Sequence, residues 1–471
     1  MHVLHTDTLA RRAFLRRCGQ LAMMGAAAPL SLNLAAMGEA AAMTASDYKA
    51  LVCVFLFGGN DYANTVVPFD AASHASYARI RAGIALPHDQ LQATRLLTAQ
   101  PLPGGQEYAL HPTMAGLAGL FNDGQAAALL NVGPLVVPTT RAQYEARAVP
   151  LPPKLFSHND QQSVWQSQAA EGATHGWGGR LGDLALSSNG GSLFSCVSLS
   201  GTSALLSGHD TVQYQCTPAG AIAVNALSNK FFSQPAMRGA FAELLQQPRA
   251  HQLEDAYTQV MRRGIGAQQQ VAQATAGVAL NTPFLAGNRL AAQLRMVARM
   301  IGAHAALGVR RQVFMVSLGG FDLHDNLVQR QPALLRQVSD GITAFHQATQ
   351  EMGLARQVTT FTASDFGRTL SSNGDGADHG WGSHHLVVGG AVRGRAFYGT
   401  PPPVSVGNTG APEDAWHVGQ GRLLPTTSVD QFAATLASWF GVSDAELPLV
   451  LPNIGHFGGA AYPVNLGFLH V

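Results

Sequence analysis

The chain has 471 residues, of which 46% are apolar and only 12% charged, and its formal net charge is +1. That apolar content excludes a disordered chain, and the length allows one large or two to three ordinary domains around a sizeable core. The near-neutral charge argues against a protein that works by neutralising nucleic-acid phosphates. Of the 29 basic residues only Lys49, Lys154 and Lys230 are lysines, so a lysine-based mechanism has few candidates.

In chain order, the first feature is an export signal. Arg11-Arg12-Ala13-Phe14-Leu15-Arg16-Arg17 is a twin-arginine run, Leu21 to Met37 is an Ala/Gly-rich apolar stretch, and Ala40-Ala41-Ala42 is a small-residue cleavage pattern. This order reads as a Tat signal over residues 1–42. A single α/β domain over 43–471 is expected to remain. It would be periplasmic or secreted, would have met the Tat export machinery, and would keep no stable membrane span, because the apolar stretch is short for a bilayer. Of the cysteines beyond the signal, Cys53 sits in an apolar run and reads as a core thiol. Cys196 and Cys216 could pair in an oxidising compartment.

Leu51 to Phe57 is an unbroken apolar run, the pattern of a strand buried on both faces. It stops at Gly58-Gly59-Asn60-Asp61. Ala126 to Val132 follows the helical stretch Met114 to Phe121 and is a second such run. Val313 to Leu318 is a third, ending at Gly319-Gly320-Phe321-Asp322. Val358 to Thr362 is a fourth, ending at Ser364-Asp365-Phe366-Gly367, and Leu386-Val387-Val388 is a short fifth. Helical periodicity over Leu290–Leu307, Leu334–Met352 and Val429–Phe440 lies between and after these runs. Strands alternating with helices predict an α/β fold with a mainly parallel sheet sandwiched by helices. Residues 190–280 are Ser/Gly-rich and then Gln/Ala-rich, and read as an insertion or cap.

The chemistry gathers where strands end. Asp61, Asp322 and Asp365 each follow a strand, and open parallel sheets bind ligands beyond the carboxyl ends of their strands. Three carboxylates in one crevice repel each other unless a cation or hydrogen-bond donors compensate. His324 follows Asp322 by two, and His379, His384 and His385 follow Asp365. Asp/His sets suit Zn²⁺ or Mn²⁺. His385 is the weaker ligand, because it faces away from His384 if the segment is extended. The plainer alternatives are an Asp61 cap, an Asx turn at Asp322, an Asp365–Arg368 pair and structural histidines. Ser157 stands where the helix Gln161 to Ala170 opens. It is either an N-cap or a nucleophile at a positive helix end, with His158 beside it. There is no GxSxG elbow, P-loop or GxGxxG fingerprint, which disfavours an α/β-hydrolase mechanism and nucleotide cofactors.

These segments carry a family resemblance. They are Phe57-Gly58-Gly59-Asn60-Asp61 with Asn64-Thr65-Val66-Val67-Pro68, Ser157-His158, and Gly176-Trp177-Gly178-Gly179-Arg180. Further on come Gly319-Gly320-Phe321-Asp322-Leu323-His324, Ser364-Asp365-Phe366-Gly367-Arg368-Thr369, and Asn373-Gly374-Asp375-Gly376 with Asp378-His379-Gly380-Trp381-Gly382. Over nearly all of the chain beyond the signal, the set resembles the Tat-exported bacterial proteins grouped as domain of unknown function family 1501. That family looks like a remote member of the alkaline phosphatase and sulfatase superfamily. The resemblance implies an alkaline phosphatase-like fold and catalytic residues Ser157 and His158. It also implies a divalent metal (Zn, Mn, Mg or Ca) held from among Asp61, Asp322, His324, Asp365, His379 and His384. Two departures stand out: His324 follows Asp322 by two positions, with Asn326 where a histidine would fall, and Phe366 replaces the histidine after Asp365. The expected activity is metal-dependent hydrolysis of phosphate or sulfate esters, with a small anionic ester or glycan as substrate. The alternative is a non-catalytic periplasmic binding or assembly protein on a degenerate scaffold of the same kind.

Overall fold

The computed structural model describes residues 45–224, 227 and 234–470; the export signal at 1–42 and Lys230 lie outside the described residues. The strands are β1 (Lys49–Phe57), β2 (Val66–Pro68), β3 (Tyr108–Leu110), β4 (Ala126–Gly133), β5 (Cys196–Ser198), β6 (Tyr214–Thr217), β7 (Gly220–Ala221), β8 (Arg311–Gly319), β9 (Val358–Ser364), β10 (Ser383–Val388), β11 (Phe397–Tyr398) and β12 (Thr427–Ser428). Ten of them form one sheet in the order β11-β4-β10-β9-β1-β8-β5-β6-β7, with β12 also pairing with β4, while β2 and β3 pair separately. The centre is parallel: β1 is flanked by β8 and β9 in the same direction. β10 runs antiparallel to both β9 and β4. The architecture is α/β with a mostly parallel sheet, as the alternating pattern predicts.

The apolar runs are buried on both sides because successive side chains of a strand point to opposite faces. On β1, Ala50, Val52, Val54 and Leu56 enter one core and Leu51, Cys53 and Phe55 the other. Helices Ala115–Asn122, Arg289–Gly302 and Leu327–Glu351 cover the first face. Helices His158–Ser167, Trp177–Ala185 and Val429–Phe440 cover the second, with Trp165, Trp177 and Trp439 fully buried against the sheet. No helix among the described residues is long and apolar enough to cross a membrane.

The 190–280 segment, read as an insertion or cap, begins by supplying β5, β6 and β7 to one edge of the sheet. Its helix Gln252–Ala276 buries Ala267 and Val271 in the core, whereas its helix Pro235–Gln246 has no buried residue. Cys196 and Cys216 do not pair. They lie on neighbouring strands but in the cores of opposite sheet faces, and both thiols are free and buried, as is Cys53.

Candidate metal centre

Three loops leave the carboxyl ends of β1, β8 and β9 and meet. Gly58 and Gly59 have φ of +114° and +78°, which only glycine adopts without strain. A Cβ on Gly58 would lie 2.3 Å from the Asp322 nitrogen, and one on Gly59 would lie 2.4 Å from the Phe366 ring. The glycines therefore let the loop after β1 touch the other two. The antiparallel direction of β10 supplies the fourth segment. Because β10 begins where β9 ends, the Asp378-His379 loop before it enters at the same rim.

His158, Asp322 and His379 each offer a ligand atom within 4.8 Å of the other two. The His158 Nε2 is 3.5 Å from Asp322 Oδ2, and the His379 Nε2 is 3.4 Å from Asp322 Oδ1. His324 joins them, its Nε2 3.1 Å from Asp322 Oδ1 and 2.9 Å from His379 Nε2. Every ring is held from behind. His158 donates through Nδ1 to Asp365 Oδ2 at 2.7 Å, His379 through Nδ1 to the Phe156 carbonyl at 2.8 Å, and His324 faces Asp378 Oδ1 through Nδ1 at 3.3 Å. Since carbonyl and carboxylate oxygens only accept, each Nδ1 carries the hydrogen, and each Nε2 is the ring atom turned to the centre. The His158 Nε2 is buried without a hydrogen-bond partner.

The expected residues divide sharply. Asp322, His324 and His379 come together as expected. His158, read as a catalytic neighbour of Ser157, instead turns its Nε2 into the cluster. Asp365 is a buried orienting group: its Oδ2 takes bonds from His158 and from Gln162, and its Oδ1 takes the Gly58 N–H at 3.1 Å. Asp61, expected as a ligand, is committed elsewhere. Its Oδ2 pairs with Arg81 at 2.7 Å and its Oδ1 accepts the Asn64 N–H at 2.9 Å, capping the turn Tyr62–Asn64. His384 also stays out of the cluster. It is buried in β10, its Nδ1 accepts the Asn131 N–H at 3.1 Å, and burial pushes its pKa down to about 3. His385 points to the opposite face, against Trp165. Ser157 opens helix His158–Ser167 but makes no cap bond; its hydroxyl donates to Asp160 Oδ2 at 3.0 Å.

The electrostatics follow from these contacts. Burial pushes the Asp322 carboxyl up, but the bond to Arg368 and that residue's charge outweigh it and hold the pKa below the usual value. Arg368 is fully buried and bridges Asp322, the Gly58 carbonyl and the Ala377 carbonyl, so it pairs with Asp322 rather than with Asp365. The bond to Asp365 raises the His158 pKa, and burial lowers that of His379. Phe366, standing where a histidine was expected, packs against both rings at 4.8 and 4.7 Å. Sequence reasoning missed Arg81, Asp160, Gln162, Asp378 and Arg422. Gln162 was within reach, since it lies one turn after His158 on the same helix face.

Fold and cluster together define an α/β protein with a candidate divalent-metal centre of histidine and aspartate beyond the carboxyl ends of its central strands. The chain belongs to the family described as "Protein of unknown function (DUF1501)", whose profile matches residues 48–447. Among solved structures it is similar to one titled "Crystal structure of Ps i-CgsB in complex with k-i-k-neocarrahexaose", at 11% identity over 87% of this chain and 77% of that chain, with a TM-score of 0.33. No curated protein matches it.

Proposed function

We propose that the chain is an exported, metal-dependent hydrolase of phosphate or sulfate esters, with His158, Asp322, His324 and His379 as the metal-holding set. The observation that carries this reading is the 2.9 Å approach of the His324 and His379 Nε2 atoms. With both Nδ1 positions protonated, two lone pairs face each other, an arrangement that repels unless a proton or metal cation sits on them. Three imidazoles and a carboxylate suit Zn²⁺ or Mn²⁺. Asp365, the Phe156 carbonyl and Asp378 are the outer partners that ligating histidines require. A divalent ion held there would polarise an ester oxygen and lower the pKa of the attacking group. Ser157 is the nucleophile in this reading: Asp160 takes its hydroxyl proton as Oγ bonds to phosphorus or sulfur, the bond from that atom to the ester oxygen breaks, Asp160 returns the proton to the departing oxygen as the alcohol, and water then hydrolyses the Ser157 ester to release phosphate or sulfate. Phe366 packs beside the His158 and His379 rings and limits water.

The test begins with elemental analysis of protein purified without chelator. We expect about one equivalent of metal per chain, lost in the double variant His158→Ala/Asp322→Ala. Supplied with Zn²⁺, Mn²⁺, Mg²⁺ or Ca²⁺, the wild type should turn over an aryl phosphate or an aryl sulfate. Ser157→Ala should lose on the order of 100-fold or more of that rate. Its stability should fall by about 1–2 kcal/mol, because the hydrogen bond to the buried Asp160 carboxylate is lost although no cap bond is. Wild-type protein that binds none of the four ions would sink the reading; protein that binds metal but turns over neither ester would be the binding protein instead. Export rests on the arginine pair, so Arg11→Lys/Arg12→Lys should leave unprocessed protein in the cytoplasm, and normal periplasmic accumulation would refute the export assignment.

A further inference from the structure

We infer that Gln162 is a positioning residue of this centre: by holding the Asp365 carboxylate in place it fixes the ring of His158, and so sets the affinity for the metal. The inference rests on the metal-centre reading above and adds a residue that acts through Asp365 rather than on the metal.

Asp322 and Asp365 both stand where a central strand ends, but their oxygens are used differently. Asp322 accepts from Arg368 on Oδ1 at 2.9 Å, and among the described residues no hydrogen-bond donor reaches its Oδ2. Asp365 is fully buried and is bonded on both oxygens. Its Oδ1 takes the Gly58 N–H at 3.1 Å, and its Oδ2 takes His158 Nδ1 and Gln162 Nε2, each at 2.7 Å. A carboxylate oxygen offers two lone pairs, so two side chains saturate Oδ2. That oxygen stands behind the His158 ring, on the side away from Nε2, with no lone pair left for a cation. Its work is to orient the ring.

Both side-chain donors come from one helix. His158 and Gln162 are four residues apart in His158–Ser167, the spacing that stacks side chains on one face. The terminal torsion of an aspartate is soft, so the plane of the carboxylate, and with it the direction of the Nδ1–H bond, is set by its other donors. Among the described residues there are two: the Gly58 backbone on Oδ1 and Gln162 on Oδ2. The His158 ring needs that steering. Its side chain is 28% exposed, and its ring contacts, Phe366 at 4.8 Å and His379 at 4.4 Å, are themselves rings of the site. Without the amide, Oδ2 keeps one donor, the carboxylate can swing, and Nε2 loses its aim at Asp322 and His379. Gln162 is half-buried and is not among the buried residues of its helix, so replacing it opens no cavity in either core.

The test measures Zn²⁺ affinity of the signal-free chain by competition with a chromophoric chelator, at about pH 8, where a glutamate is ionised. Gln162→Met keeps the length and loses the donor; it should weaken Zn²⁺ binding about tenfold, the low end of what losing an outer partner costs. Gln162→Glu, the isostere that sets a second carboxylate against Asp365, should weaken it about thirtyfold or more. Gln162→Lys returns a donor and should stay within about threefold of wild type. A residue that only fills space would give the reverse order, with Glu nearest the wild type and Lys furthest, and that order would overturn the assignment. Wild-type affinity in all three variants would overturn it too. A second readout needs no metal. In metal-free protein with ¹⁵N-labelled histidine, the Nδ1–H signal of His158, identified by its loss in His158→Ala, should persist in the wild type and the Lys variant and be lost to exchange with water in the Met variant. An unchanged signal in the Met and Glu variants would show that Gln162 does not hold the ring. Wild-type protein that binds no Zn²⁺ would remove the metal-centre reading, and the proton signal would then decide the positioning of His158 by itself.

Discussion

Replacing Asp61 by Asn separates a structural carboxylate from a metal ligand. Its pair with Arg81 spans 2.7 Å, with side-chain exposures of 1% and 0%. The asparagine can still accept the Asn64 N–H, but it cannot balance the guanidinium. Breaking one partner of a buried pair costs about 3–5 kcal/mol, because an uncompensated charge is left behind. Arg81 keeps its bonds to the Thr369 and Leu370 carbonyls, at 3.4 and 3.2 Å, so the loss should fall at the low end, about 3 kcal/mol. An unfolding entropy of about 2.1 cal/mol/K per residue gives roughly 0.9 kcal/mol/K for a chain of about 420 residues, so the melting temperature should drop by roughly 3–4 °C. Zn²⁺ affinity, read by competition with a chromophoric chelator, should change by less than about threefold, whereas losing a true ligand costs tenfold to a hundredfold or more. An unchanged melting temperature with hundredfold weaker Zn²⁺ binding would refute the assignment of Asp61 to Arg81.

Gly59→Ala would drive a Cβ into the Phe366 ring at 2.4 Å from a left-handed φ; since Phe366 backs His158 and His379, metal affinity should fall at least about tenfold, and an unaltered affinity would contradict the packing argument. His346 is buried with its Nε2 unpartnered, and burial pushes its pKa down to about 4 from the ordinary 6.5. A histidine depressed in this way keeps its contribution to stability above pH 6.5 and loses it as pH falls towards 4. In urea titrations of metal-free protein, His346→Leu should therefore flatten the acid limb by an amount on the order of 3 kcal/mol, and an identical limb would show that the histidine is not buried neutral. With Cys53, Cys196 and Cys216 all buried and free, a thiol reagent should label signal-free protein slowly when folded and at all three sites once it is unfolded without reductant; only one reactive thiol after unfolding would indicate a disulfide.

What the sequence determined by itself is the frame. Apolar runs such as Leu51–Phe57 and Val313–Leu318, the second broken only by Ser317, read as strands covered on both faces, and the Gly-Gly-Asn-Asp and Gly-Gly-Phe-Asp segments after them mark where a parallel sheet opens a crevice. Local chemistry carried that far because strand burial and turn glycines depend on neighbours in sequence. The assignment of ligands depended on neighbours in space. Arg81, 20 residues beyond Asp61, takes that carboxylate out of the crevice, and nothing in the spacing announces it. The antiparallel direction of β10 brings the His379 loop to the rim but carries His384 on into the buried sheet; period-2 alternation distinguishes His384 from His385, but not strand direction. His158 looked like a partner of Ser157 because the two are adjacent, yet a helix turns consecutive side chains by about 100°. The tertiary fold sends one to Asp160 and the other, held by Asp365 from a strand 200 residues away, into the cluster. The cysteine pair was decided the same way: strand neighbours on opposite faces of a sheet cannot meet, and which face each thiol takes is set by packing, not by the count of residues between them.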